Sequence, residues 1–127
     1  MIRAKPVGWR AVRFCQTPKH SVMAWVYLFV AGLFEIGWPV GLKLAESPGS
    51  RVVGILIAIV CMALSGLLLW LALRSIPIGI AYAIWTGIGA TGTFIVGVLF
   101  FGDPNAVLRW VGVALIVGGI ALLKVSA

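Results

Sequence analysis

Glu35 stands inside a long apolar run, with Trp38 three residues after it, and Ser65, Tyr82 and Trp85 are set into later apolar runs. A charged side chain at that depth costs about 3 kcal/mol to insert, so an acid there is by default a working residue. Lys43, Arg51, Arg74, Arg109 and Lys124 all fall at or near the ends of the apolar runs, so none can neutralise it. Glu35 must therefore hold a proton or a bound cation. Two copies of such an acid meeting across a dimer axis would disfavour each other's ionisation, which makes the proton a natural competitor of the cation.

On a helix, Trp38 shares a face with Glu35, and an indole beside an acid suits a cation. Tyr82, Trp85 and Gly89 recur at three and seven positions and give a second aromatic and hydroxyl-bearing stripe, although such a stripe taken alone is more often packing. Ser65 is placed to donate a hydrogen bond to Glu35 or to orient an aromatic group, or, more simply, to bond its own helix backbone. The plain alternative for Glu35 is a protonated acid that bonds a neighbouring helix. Gly87 and Gly89 remove side chains from the middle of the third run, where they permit close approach or a conformational hinge. Gly112 and Gly119 are a heptad apart and form a small-residue face suited to packing between subunits.

Other chemistry is excluded. The sequence pairs no nucleophile with a base, clusters no metal ligands and carries no phosphate loop, and the sole histidine is His20, near the N-terminus. No enzyme, metal or cofactor is expected. Cys15 and Cys61 show no paired spacing and read as packing thiols.

The elements that position these residues follow from composition. Of 127 residues 62% are hydrophobic and 10% charged, so lipid is the expected solvent. A span needs roughly 20 apolar residues, and the chain supplies four, over about 24–42, 52–73, 77–101 and 106–123. The fold class is all-α membrane protein, with no room for a soluble catalytic domain. Pro39 invites a kink in the first span, Glu46 to Arg51 and Gly102 to Asn105 read as turns, and Pro77 opens the third helix. Trp25, Trp70 and Trp110 fall near span ends as interface anchors.

Residues 1–22 carry Arg3, Lys5, Arg10, Arg13 and Lys19, half of the ten basic residues behind the net charge of +7. They read as a disordered basic extension or as sequence upstream of a true start at Met23, leaving residues 23–127 as the membrane domain. No aromatic-interleaved basic face follows, so nucleic acid is not an expected partner. From Met23 onward Arg74 and Lys124 face one side of the membrane and Lys43, Arg51 and Arg109 the other. A bias so small allows insertion both ways and pairing with an inverted copy, whereas the basic extension would fix both termini in the cytoplasm.

Gly32-Leu-Phe-Glu35 in the first span, with Trp38 and Lys43, and Ala81-Tyr-Ala-Ile-Trp-Thr-Gly-Ile-Gly-Ala90 in the third, resemble the small multidrug resistance family over about residues 23–124. Trp38, and Thr86 after the second tryptophan, resemble its guanidinium exporter subgroup. Multidrug members usually carry a small residue at the place of Trp38. The resemblance implies an antiparallel homodimer in the bacterial inner membrane, driven by the proton gradient, in which the two Glu35 carboxylates bind protons or guanidinium in turn. By the same match Trp38, Ser65, Tyr82 and Trp85 line the site. Gly37, Pro39 and Ile80 depart from the pattern, and the first two are expected to loosen the site and broaden its substrates. The alternatives are a broad exporter of quaternary ammonium or aromatic cations, half of a heterodimeric transporter, and a structural membrane subunit.

Overall fold

The computed structural model describes residues 22–127. The basic extension, with Cys15, His20 and the choice of start, lies outside the described residues but for Val22. Four helices follow one another: α1 (Val22–Leu44), α2 (Arg51–Ala72), α3 (Ile78–Phe100) and α4 (Val107–Ser126). Each is long and apolar enough to cross a membrane, and no strand occurs among the described residues. α1 is the hub, packed along α2 and α3, while α4 packs on α3.

The helices stop where backbone chemistry stops them. Pro77 adopts ψ 138° and caps α3, its carbonyl accepting the Ala81 N–H at 3.0 Å. At the far end of α3 the Phe101 and Asp103 N–H groups both donate to the Gly97 carbonyl at 3.1 Å, and Gly102 turns the chain with φ +70°. Between α1 and α2 a short 3₁₀ turn, Pro48–Ser50, is tied back by the Ser50 hydroxyl, which donates to the Leu44 carbonyl at 2.6 Å. α1 runs unbroken through Pro39, so the proline costs one hydrogen bond without ending the helix.

Lipid-facing residues stay large: Leu108 is 82% exposed and Phe100 77%. The buried set is small by contrast, with Ala24, Ala31, Ala58, Ala72 and Ala81 around Leu28, Ile76 and Ile84. Lipid tails are as apolar as leucine, so helices associate in a bilayer by close van der Waals approach, for which small residues serve best. The α1–α2 crossing shows this at Gly41 and Gly54. A Cβ on Gly41 would meet the Gly54 carbonyl at 2.7 Å, and one on Gly54 would meet the Gly41 carbonyl at 2.5 Å.

Arg74 lies 4.2 Å from the Trp70 ring and Lys124 5.6 Å from the Trp25 ring, placing cation–aromatic pairs at the membrane face where α1 begins and α4 ends. On the opposite face Lys43 pairs with Glu46 at 2.7 Å, and Arg109 donates to the Pro104 carbonyl at 2.9 Å. Trp110 meets Phe94 edge to face at 5.2 Å, so this interface residue also locks α4 to α3.

Gly54→Val should cost at least about 2 kcal/mol, because the added atoms meet rigid backbone. The check is a lowered melting temperature in detergent, with Gly66→Ala, which meets nothing within 4 Å, as the unaffected control.

Candidate cation-binding site

Four polar side chains meet at a common point, two from α1 and one each from α2 and α3. The Trp38 indole N–H donates to Glu35 Oε1 at 2.9 Å, spanning the single turn between them. From α2 the Ser65 hydroxyl reaches Glu35 Oε2 at 2.9 Å and the Ala31 carbonyl at 2.8 Å. From α3 the Trp85 indole N–H donates to Ser65 Oγ at 2.9 Å. Ser65 is completely buried. Its bonds leave α2 for residues of α1 and α3, so the local backbone bond that serines commonly make is not its role.

Ser65 has one hydroxyl proton and two acceptors within reach, the Ala31 carbonyl and the Glu35 carboxylate. Its oxygen meanwhile accepts from Trp85 and keeps a second lone pair. When Glu35 is ionised the serine can donate to it. When Glu35 is protonated the carboxyl O–H can donate to the serine, which turns its own proton to Ala31. Both states leave the Ser65 hydroxyl and the Glu35 carboxyl partnered, which is what a site that must change its proton inside lipid requires.

Room for the carboxylate comes from α3. A Cβ on Gly89 would lie 2.5 Å from Glu35 Cγ, so any larger residue would displace the acid. Gly87, one of the two expected hinge residues, faces away toward α4, where a Cβ would meet Ile120 at 2.5 Å. The two glycines therefore permit two different helix contacts in a continuous α3. Tyr82 joins the cluster through its ring alone, tilted against Trp85 with centroids 5.1 Å apart, and is 55% exposed. The Thr86 hydroxyl donates to the carbonyl of Tyr82 at 2.9 Å and lies within 3.2 Å of that of Ala83, so it serves its own helix. Gly112 and Gly119 have nothing within 4 Å, and their face of α4 is uncovered by the described residues.

The space beside Gly37 is filled by Cys61, whose Sγ would lie 2.5 Å from a Cβ there. The expected loosening at Gly37 is therefore compensated by a thiol from α2. Sequence reasoning did not find this pair, nor the Ala31 carbonyl: the first needs the α1–α2 register, and a backbone acceptor has no side-chain signal. The described residues hold no group of three or more His, Cys, Asp or Glu side chains arranged for a metal.

An acid partnered among the described residues only by neutral donors, with two indole rings nearby, can hold a proton or a small cation. Comparison with known proteins agrees in kind. Residues 23–116 match the family described as Small Multidrug Resistance protein. A guanidinium exporter of Salmonella typhimurium is 46% identical over 83% of this chain and 99% of its own length. Guanidinium exporters of Yersinia pseudotuberculosis and Escherichia coli are each 44% identical, over 83% and 82% of this chain and 100% and 98% of their own lengths. With four spanning helices and a match across most of its length, the chain belongs to the small multidrug resistance family.

Proposed function

We propose that this protein is a proton-coupled antiporter that exports guanidinium and small guanidinyl compounds across the inner membrane, protons and substrate competing for Glu35. The observation that carries the reading is the ionisable carboxylate held in the spanning region by the neutral donors Trp38 and Ser65 alone. The relatives' names supply the substrate class, and its chemistry fits. Guanidinium is planar, presents paired N–H donors that match a carboxylate fork, and stacks on indole. It needs no cofactor beyond the proton gradient.

The working unit in this reading is an antiparallel homodimer. The nearly balanced cationic residues on the two membrane faces of the described residues permit opposite insertion, and the uncovered α4 face with Gly112 and Gly119 is available to a second copy. Exchange of roles between two identical chains, with bending near Gly87 and Gly89, would move the opening from one membrane face to the other.

A broader exporter of quaternary ammonium or aromatic cations is the nearest rival. Trp38 argues against it by occupying volume beside the carboxylate and by using its N–H to hold Oε1. A structural subunit would leave the acid permanently protonated, and a heterodimer would require a second, different chain.

In proteoliposomes, guanidinium should drive proton flux and tetraphenylphosphonium should not; guanidinium without flux in the wild-type protein sinks the exporter reading. Glu35→Gln should insert normally and lose guanidinium-driven flux by more than about 100-fold, a loss of 2.7 kcal/mol or more. Trp38→Gly should open the site to bulkier aromatic cations, measured as tetraphenylphosphonium-driven flux. Gly89→Ala should weaken guanidinium binding by about tenfold or more through displacement of Glu35, read by calorimetry on protein whose circular dichroism is unchanged.

A further inference from the structure

A cavity of about 180 Å³ lies between α1 and α3, lined by Pro39, Val40, Lys43, Thr93, Gly97, Phe101 and Asp103. Its place relative to Glu35 follows from helix register. Glu35, Pro39 and Lys43 are spaced by four on α1, and Gly89, Thr93 and Gly97 are spaced by four on α3. Glu35 packs on Gly89, so Pro39 with Thr93 sits one turn along the same seam and Lys43 with Gly97 two turns along, about 12 Å from Glu35. The cavity is the stretch of seam between the buried carboxylate and the membrane face that carries Lys43 and Asp103.

Its polar side chains are the Asp103 carboxylate, the Thr93 hydroxyl and the Lys43 ammonium. Asp103 lies against Gly97, where a Cβ would strike its carboxylate, and neither that carboxylate nor the Thr93 hydroxyl takes part in a hydrogen bond or ion pair among the described residues. The nearby Lys43 ammonium is drawn to Glu46 instead, at 2.7 Å, and feels Asp103 only at longer range. Further along the seam, toward Glu35, stands a backbone oxygen outside the cavity lining. Pro39 has no N–H, so the Glu35 carbonyl, which would accept from residue 39 in a regular helix, has no helical donor. That carbonyl group is on the α3 side of α1: its carbon would lie 4.0 Å from a Cβ on Gly89. Phe101 adds an aromatic wall.

We propose that this cavity is an outer cation site, in which the Asp103 carboxylate and the Thr93 hydroxyl receive an N–H-rich cation of the guanidinium type on its way to or from the Glu35 carboxylate. The inference rests on the exporter reading for the direction of traffic, though binding at the outer site does not depend on it. A planar cation with several N–H donors is the chemistry that fits acceptor oxygens spaced along a seam, and a quaternary ammonium, with no donor, would gain only from Phe101 and the charge. Asp103 gathers the cation at the water boundary by charge, an effect that salt suppresses.

Two measurements test it. In full-length protein carrying Glu35→Gln, which removes the inner carboxylate, guanidinium chloride should give saturable amide shifts at Thr93, Gly97 and Asp103. Adding Asp103→Asn should abolish them. Thr93→Val should weaken them, and tetramethylammonium chloride at equal ionic strength should not reproduce them. In the otherwise wild-type protein, Asp103→Asn should raise the KM for guanidinium by about three- to tenfold at low salt with kcat unchanged, the difference closing at high salt. Shifts that are absent, unsaturable or equal with tetramethylammonium, or a low-salt KM untouched by Asp103→Asn, overturn the outer site. Failure of the exporter reading would show separately, as wild-type protein without guanidinium-driven proton flux.

Discussion

A carboxylate in a spanning helix with no cationic partner among the described residues is the constraint from which the rest of the molecule follows. Ion pairing with a lysine or arginine would have lowered the cost of burying Glu35, and would also have filled the site for good. Neutral donors stabilise the ionised acid while leaving its charge uncompensated, so the site stays attractive to a proton or a cation. Those donors come from α1 and α2, Trp85 of α3 steadies the serine between them, and Gly89 yields the space. Three helices must therefore meet closely at one level, and the small buried residues along their crossings are what permits it.

The features legible in the sequence are those with a short-range signature. Hydropathy located the four helices to within a few residues, and the spacing of Glu35 and Trp38 placed an indole against the acid, where the structure has a hydrogen bond. Features that join separate helices were only half legible. Ser65 stood out as a lone hydroxyl in an apolar span, yet which of its acceptors it reached depended on the α1–α2 register, and the structure gives it two. Gly37 and Cys61 looked like an opening and an idle thiol when read apart, and are a filled contact when read together. Gly87 and Gly89 looked like one device, but two positions differ by some 200° around a helix and so face different neighbours.

Pro39 shows how a local rule and a tertiary consequence diverge. Its sequence signal is a kink, but α1 continues through it, and the lasting effect is a missing donor for the carbonyl of Glu35 itself. In water such a carbonyl would be hydrated at little cost. Within a bilayer it needs a partner, and the cavity lined by Pro39 and Thr93 opens one turn along the helix. The substitution that seemed to slacken the helix therefore adds polarity next to the acid.

Lone-pair accounting explains why such a site would exchange its ligands and not carry them together. An ionised carboxylate offers about four acceptor positions. Trp38 and Ser65 take one on each oxygen, which leaves one on each, the pair of positions a guanidinium fork requires. A proton on either oxygen occupies one of these and cancels the charge, removing both the geometry and the attraction that hold the cation. In the proposed exchange, binding of one ligand would therefore exclude the other at the same carboxylate, and the coupling would arise from a shared set of atoms, with no signal needing to travel through the protein.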